Sequence, residues 1–460
     1  MRYDDFLQKK AIKHEESGLD IDPSEISKKL YPFQIDIVKW ALGKGKAALF
    51  TMTGTGKTLM QLEWARHVHR ETQGNILVVA PLAVSHQTIR EGRKIGVNVN
   101  LCKTQKDITE GVNVTNYDRL HKFNADTLSG VVLDESSILK SYAGKTRNMI
   151  IDLFTNTPYK LACTATPAPN DFMELGNHSE FLGVMERMEM LAMFFVHDGG
   201  ETSKWRLKGH AESKFWEWVA SWAVVLDKPS DLGYHDNRFI LPPLEVHEHA
   251  VKSERPTDRL CVVEAQTLQE RQKARKESTA ERVQRCADIV NGTDKPFLVW
   301  CGLNYESSEL KKAIPGAVEV KGSDSSEFKE KAMLDFSEGK IRVLVTKPSI
   351  AGFGMNWQHC SDMAFVGLSD SFEQYFQAVR RCWRFGQKNT VNVHVIISER
   401  EGAVKSNIKR KEQDFEKMIK EIVHYTKDIT RKNIKKTFRD RTEYISTEEM
   451  KLPEWLGVIA

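Results

Sequence analysis

Thr51-Met52-Thr53-Gly54-Thr55-Gly56-Lys57-Thr58 stands between a short apolar run, Ala47–Phe50, and a stretch in which Leu59, Leu62 and Ala65 recur at helical spacing. A strand, a glycine turn and a helix opening at Lys57-Thr58 is the geometry of a loop that cradles phosphate. Gly54 and Gly56 let backbone N–H groups point inward with no Cβ in the way, and Thr55 lies between them. The helix N-terminus adds partial positive charge. In such a loop the lysine, Lys57, reaches the outer phosphates and the hydroxyl, Thr58, goes to magnesium. The full pattern asks for glycine at position 51, where threonine stands. A Gly-Thr-rich turn without a ligand looks the same locally, so the rest of the chain has to decide.

Downstream, β-type runs alternate with helical stretches: Ile76–Ala80, Val112–Thr115, Val131–Asp134 and Tyr159–Thr164. That alternation predicts a parallel sheet covered by helices on both faces. Ligand-binding residues then collect at the C-terminal ends of the strands. One run, Val131-Val132-Leu133, ends in adjacent carboxylates, Asp134-Glu135. Beyond a phosphate loop, the first suits magnesium and the second suits a water aimed at a γ-phosphate. A solvated strand end is the commoner fate of such a pair in isolation. Thr164 and Thr166 place hydroxyls where they reach those carboxylates, although small residues stopped by Pro167 also make an ordinary turn. Upstream, Pro32 fits the start of a helix, and Gln34 has the donor and acceptor to read an adenine edge, or is a solvated helix glutamine.

At 460 residues the chain exceeds what one core supports, so two domains with appendages are expected. Its 40% hydrophobic and 28% charged content is that of a soluble globular protein, and a net charge of +4 confines any basic surface to local patches. Seven cysteines without a C-x-x-C pair suggest neither a disulfide framework nor a zinc site. No apolar run approaches the roughly 18 residues of a membrane span, and the polar N-terminus does not read as a signal peptide. A cytoplasmic protein is expected, without a membrane partner and as a monomer.

The expected organisation is an extension over 1–30, a first lobe over 31–245 with a helical insertion at about 171–230, a linker over 246–290, a second lobe over 291–400 and a basic helical extension over 401–460. Phe215, Trp218, Val219 and Trp222 share a helical face in the insertion, better explained by burial than by base stacking. Lys204, Arg206 and Lys208 nearby form a candidate phosphate-contacting cluster. The second lobe has its own alternating runs, Phe297–Cys301, Ala317–Val320, Ile341–Thr346, Met363–Val366 and Val391–Ile397, but no glycine phosphate loop. It carries instead Q-Y-F-Q-A-V-R-R-C-W-R-F-G-Q over 374–387, with Gln377, Arg381 and Arg384 at the spacing of one helix face. Arginines so placed are either a solvated stripe or a reach across a cleft to a transferring phosphoryl group. In the C-terminal extension an apolar stripe, Phe415, Ile419, Ile422 and Val423, runs among lysines. The basic run Arg431–Arg441 suits either a docked, solvated helix or a phosphate backbone.

Taken together, these stretches resemble the superfamily 2 helicases, and within them the Swi/Snf-like translocases. Leu30–Gln34 resembles the adenine reader, Thr53–Thr58 motif I, Val78–Gln87 motif Ia, Val114–Leu120 motif Ib, Asp134–Ser137 motif II and Thr164–Asn170 motif III. Phe297–Cys301 is similar to motif IV, Val345–Gln358 to motif V, and Gln377–Gln387, ending R-x-x-R-F-G-Q, to motif VI in its Swi/Snf form. Ser137 departs from the residue that commonly closes motif II. The tryptophan-rich insertion, with H-D-G-G, resembles compact helicases of bacteriophages and prophages.

The resemblance implies an α/β fold of two RecA-like parallel-sheet lobes with a helical insertion and a helical C-terminal extension. It implies ATP and Mg²⁺ between the lobes, with Lys57, Glu135, Arg381 and Arg384 catalytic. Gln34, Gly54, Thr55, Gly56, Lys57, Thr58, Asp134 and Gly354 hold nucleotide, Thr58 and Asp134 the metal. Pro81, Gln87, Asn116, Tyr117, Ser349 and Asn356 would meet nucleic acid, with duplex DNA favoured, and Thr164, Thr166 and Gln377 would couple the two sites. The competing readings are a strand-separating DNA or RNA helicase and a nucleotide-switched DNA clamp with negligible turnover.

Overall fold

The computed structural model describes residues 17–81, 84–197, 205–252, 276–351, 355–369, 371–399 and 402–436. Two parallel sheets organise them. The first contains β1 (Lys46–Thr51), β2 (Asn75–Ala80), β3 (Val99–Leu101), β4 (Val112–Asn116), β5 (Leu128–Asp134) and β6 (Tyr159–Thr164). A short antiparallel hairpin, β7 (Phe195–His197) and β8 (Trp205–Leu207), lies outside it, and β9 (Ala223–Leu226) completes it in the order β3-β4-β2-β5-β6-β1-β9. The central strands carry apolar runs because helices cover both faces: Ala47–Phe50, Ile76–Ala80 and Val131–Leu133 are all buried.

The second sheet holds β10 (Leu244–Val251), β11 (Phe297–Cys301), β12 (Val318–Glu319), β13 (Val343–Thr346), β14 (Asp362–Val366) and β15 (Val391–Ser398), in the order β10-β15-β14-β11-β13-β12. The two-lobed α/β architecture expected from the alternating runs is therefore present. The domain boundaries move. The segment from 246, read as linker, opens inside β10, which pairs in parallel with β15 from Leu244↔Val391 to Val251↔Ser398. Its polar, partly exposed residues belong to an edge strand with only one neighbour, and that hid it. Helix Thr279–Asn291 buries Val283, Cys286 and Val290 against the same lobe, so it too lies inside the lobe. Residues 253–275 fall outside the described residues.

The insertion contributes β9 to the first sheet as well as helices. Its tryptophans are core: Trp216 and Trp222 are almost fully buried, and Phe50–Trp222 and Phe215–Trp216 meet edge to face. Helix Gly402–Lys436 leaves the second lobe and returns to the first. Phe415 packs on Phe372 and Phe376, whereas further along Tyr425 stacks on Trp216 at 5.9 Å and Arg431 donates to the carbonyls of Asp231 and Ser230. The docked-helix reading of this region holds through Lys436, and 437–460 lie outside the described residues.

Candidate active site and nucleic-acid cleft

The phosphate loop forms where β1 ends. Gly54 and Gly56 take φ of 91° and 87°, in the left-handed region that a side chain disfavours. Thr51, in the place of the expected glycine, is buried as the last residue of β1 and bonds Thr55 Oγ1 at 2.9 Å. Lys57 Nζ donates to the carbonyls of Thr51 at 2.5 Å and Met52 at 3.2 Å. Burial pushes its ammonium below the ordinary range, opposed by Glu135 and Asp134. Thr58 is half-buried on the first turn of helix Lys57–Thr72.

Gln34 braces this loop. Its Nε2 donates to the Thr55 carbonyl at 2.6 Å, its Oε1 accepts from the Tyr31 N–H at 2.8 Å, and a Cβ on Gly56 would lie 2.2 Å from that Nε2. Both ends of the amide expected to read adenine are thus engaged within the chain.

The carboxylates leave β5 beside it. Asp134 Oδ1 accepts from Gln61 Nε2 at 2.8 Å, and the Tyr117 hydroxyl donates to the Asp134 carbonyl at 2.7 Å. Gln61 was missed, though it lies one helical turn beyond Lys57 on the same face. Glu135 takes φ 56°, ψ 54°, a left-handed conformation costing a non-glycine residue about 1–3 kcal/mol. Such strain persists only where surroundings over-determine it. Here Ser136 Oγ bonds the buried His178 Nε2 at 3.1 Å, and Thr164 Oγ1 lies 3.5 Å from Glu135 Oε2. Thr164 also accepts from the Thr166 N–H at 3.1 Å. Burial raises the carboxyls of both Asp134 and Glu135.

From the second lobe, helix Phe372–Val379 carries Gln377 and then ends. Gln377, Arg381 and Arg384 therefore do not share one helix, as their spacing had suggested: the two arginines sit on the turns that follow, with Gly386 at φ 96°. The Arg381 carbonyl accepts from the Trp357 N–H at 3.0 Å, which pulls the chain out of helical pairing. Arg381 is buried, donating to the carbonyls of Gln377 and Met355 and to Gln377 Oε1. Burial lowers its guanidinium, while Glu135 and Asp134 hold it up. Burial also moves Arg384 down to about 10, still charged at neutral pH, with Arg381 beside it and Glu135 within electrostatic reach.

The two half-sites meet. A Cβ on Gly54 would lie 3.1 Å from both the ring and the backbone nitrogen of Phe385, the residue after Arg384. Phe385 packs edge to face on Phe239, 5.4 Å away, in the core that also contains Phe33. Three cations, Lys57, Arg381 and Arg384, thus surround two carboxylates, Asp134 and Glu135. The excess positive charge suits a polyphosphate anion.

Alongside runs a cleft of about 840 Å³ lined by both lobes. Pro81, Gln87, Asn116, Tyr117 and Ser349, five of the six residues expected to meet nucleic acid, line it, and so does Glu135. Asn116 Oδ1 is buried with no hydrogen-bond partner among the described residues. Asn356 is exposed but does not line the cleft. Gly354 lies outside the described residues. Lys208, read as a phosphate contact, instead donates to the carbonyls of Ala192 and Met193, and Lys204 lies outside the described residues.

The family model "type III restriction enzyme, res subunit" matches residues 8–169, and "helicase conserved C-terminal domain" matches residues 281–386. The chain belongs to superfamily 2 of the helicases. A helicase of this superfamily is an ATP-dependent nucleic-acid motor, and the two matches fall on the two lobes that meet at Gly54 and Phe385. No curated protein matches this helicase. Among solved structures, the Sulfolobus solfataricus SWI2/SNF2 ATPase core in complex with dsDNA is similar to it, at 16% sequence identity and a TM-score of 0.42, over 90% of this chain and 97% of that one. Among the described residues, no helix of the helicase is long and apolar enough to cross a membrane.

Proposed function

We propose that this helicase is a translocase of the Swi/Snf type that hydrolyses ATP between its lobes to move along duplex DNA. The observation that carries the reading is the approach of Phe385 to Gly54, which brings Arg384 and Arg381 to the pocket of Lys57, Asp134 and Glu135. In the hydrolytic step a water attacks the γ-phosphorus as Glu135 accepts its proton, and the bond to the ADP oxygen breaks. Lys57 binds the outer phosphates, and the two arginines neutralise charge that develops on the transferring group. Thr58 and Asp134 offer the hard oxygen donors that Mg²⁺ prefers, and would hold it. When bound, the metal would supply positive charge that offsets the charge of the phosphates.

Nucleic acid is assigned to the cleft, where contacts to backbone phosphates give little sequence preference and steep salt dependence. Tyr117 supports coupling of the two sites, because it lines the cleft while its hydroxyl holds the Asp134 backbone. The duplex preference and the Swi/Snf assignment are supported by the R-x-x-R-F-G-Q ending of Arg381–Gln387, and the bacteriophage attribution by the insertion sequence alone. ATP turnover titrated with duplex DNA, single-stranded DNA and RNA tests the reading. Strongest stimulation by duplex, with triplex displacement but no strand separation, is expected. Stimulation by single strands with efficient unwinding points to a strand-separating helicase, and binding without turnover to a clamp.

A further inference from the structure

The walls of the cleft differ in net charge: on the first lobe Arg90, Lys103, Arg119 and Lys140 outnumber Asp118 and Glu135, and on the second Glu327, Glu330 and Glu373 outnumber Lys329. Two polar contacts span the gap: His86 Nδ1 lies 3.1 Å from Glu330 Oε1, and Lys140 forms an ion pair with Glu373. Their settings differ. The side chains of His86 and Glu330 are 47% and 36% exposed, where a pair contributes little. The Glu373 side chain is only 7% exposed, while Lys140 is 38% exposed and faces the cleft. Losing Lys140 leaves the buried Glu373 carboxylate uncompensated, whereas Lys140 without Glu373 still reaches solvent.

The pair joins two pieces of the catalytic apparatus. Lys140 closes the turn Ser136–Lys140 that follows Asp134-Glu135, and its carbonyl is fixed by Asn177 Nδ2 at 3.1 Å. Glu373 lies in the first turn of the helix Phe372–Val379, which leads through Gln377 to Arg381. We propose that the Lys140–Glu373 pair is a latch operated by nucleic acid: a backbone phosphate entering the cleft takes Lys140 from Glu373, and the helix bearing Glu373 and Gln377 is then free to shift the arginines, already beside the pocket, onto the transferring phosphoryl group. The exchange gives Lys140 one charge-assisted contact in place of another, while the phosphate repels the acidic wall it meets. Lys140 and Glu373 are positioning residues, because neither touches the reacting atoms. The inference rests on the motor reading.

Steady-state ATP turnover by the full chain, with and without a synthetic DNA duplex, tests it. Glu373→Gln is expected to raise the duplex-free rate roughly tenfold, the scale of one such contact. It should also lower the duplex concentration for half-maximal stimulation and leave the saturated rate near that of the parent chain. Lys140→Met, a change at the partly exposed partner, should raise the duplex-free rate as well but increase the half-saturating concentration. The exchanged pair Lys140→Glu with Glu373→Lys should restore the low duplex-free rate. A purely structural pair would not move half-saturation in opposite directions in the two single variants. Duplex-free rates that stay at the parent value or fall in Glu373→Gln and Lys140→Met overturn the latch, and Lys140→Met decides alone if Glu373→Gln does not fold. If the parent chain is itself stimulated by no duplex, single strand or RNA, the motor reading fails instead, and the latch with it.

Discussion

In the first lobe, Lys57 and Glu135 leave the sheet from turns whose backbone is fixed in the left-handed region: φ is 91° at Gly54, 87° at Gly56 and 56° at Glu135. In the second lobe, Arg381 and Arg384 leave the end of a helix. Arg381 is held by side-chain bonds to Gln377 and Met355, and Arg384 Nε has no partner among the described residues. Both lobes are parallel sheets, so the contrast does not come from the fold. The loop backbone at Gly54 and Gly56 and the Glu135 backbone cannot be re-aimed without breaking the strand end, although Lys57 Nζ, bonded to the Thr51 and Met52 carbonyls, can exchange partners. Groups set by side-chain hydrogen bonds can exchange partners within a rotamer change. On the proposed reading, the first lobe is a fixed receptor for phosphate, and the second brings charge that arrives and leaves with lobe motion.

The largest effect should come from the movable half. Arg384→Ala is expected to lower ATP turnover by roughly 10³–10⁵, because its charge acts on the transferring group. Nucleotide binding, followed with a fluorescent ATP analogue, should change little. If turnover is near normal, the contrast between the lobes loses its functional meaning. On the fixed side, Glu135→Gln should reduce turnover by roughly 10²–10⁴, as expected for a general base, with ATP still bound. Single-turnover kinetics would separate the two variants by whether chemistry or binding has slowed. Loss of nucleotide affinity in Glu135→Gln would instead assign this carboxylate to the metal rather than to water.

The same contrast explains how much could be read from the chain. The fixed half-site is contiguous: T-G-T-G-K-T and V-V-L-D-E each unite strand, turn and chemistry in a few residues. The central strands were legible because burial on both faces gives runs such as Ile76–Ala80 and Val131–Leu133 that are apolar without interruption. What escaped was set by neighbours far along the chain. The edge strand β10 carries Glu245, His247, Glu248 and His249, so its residues read as a charged linker. Gln34 looks like any polar helix residue until the Thr55 carbonyl lies beside it. The break between Gln377 and Arg384 depends on Trp357 capturing the Arg381 carbonyl, and no local pattern encodes that partner. Nor does any pattern announce an acidic wall facing a basic one.

A smaller effect should appear in acid. His178 anchors the strained turn through Ser136, and burial lowers it from 6.5 to about 4. Because its folded value lies below the unfolded one, the unfolded chain takes up a proton first as the pH falls. Stability is then lost between about pH 6.5 and 4, by on the order of 3 kcal/mol at the lower end. His394 in the second sheet is lowered to about 4 as well, so the measurement is the difference between variant and parent. His178→Gln should flatten the fall in unfolding free energy over that window. An unchanged slope would remove His178 from the supports of the first-lobe turn.

The smallest effect separates strain that serves chemistry from strain that does not. Gln73 and Glu135 are the two non-glycine residues at positive φ among those described, at 55° and 56°. Gln73 caps helix Lys57–Thr72 at the surface, where glycine is the natural occupant. Gln73→Gly removes the side-chain penalty, of roughly 1–2 kcal/mol, but loses the exposed bond from Nε2 to the Arg70 carbonyl and adds freedom to the unfolded chain. A net gain of about 0.5–1 kcal/mol is expected in denaturant unfolding, with ATP turnover unchanged. Glu135→Gly relieves the same backbone conformation and should also stabilise the fold, yet turnover should collapse. If both glycine variants gained stability and kept turnover, the left-handed conformation at Glu135 would be a helix-end accident like that at Gln73, and the fixed half-site would rest on Lys57 alone.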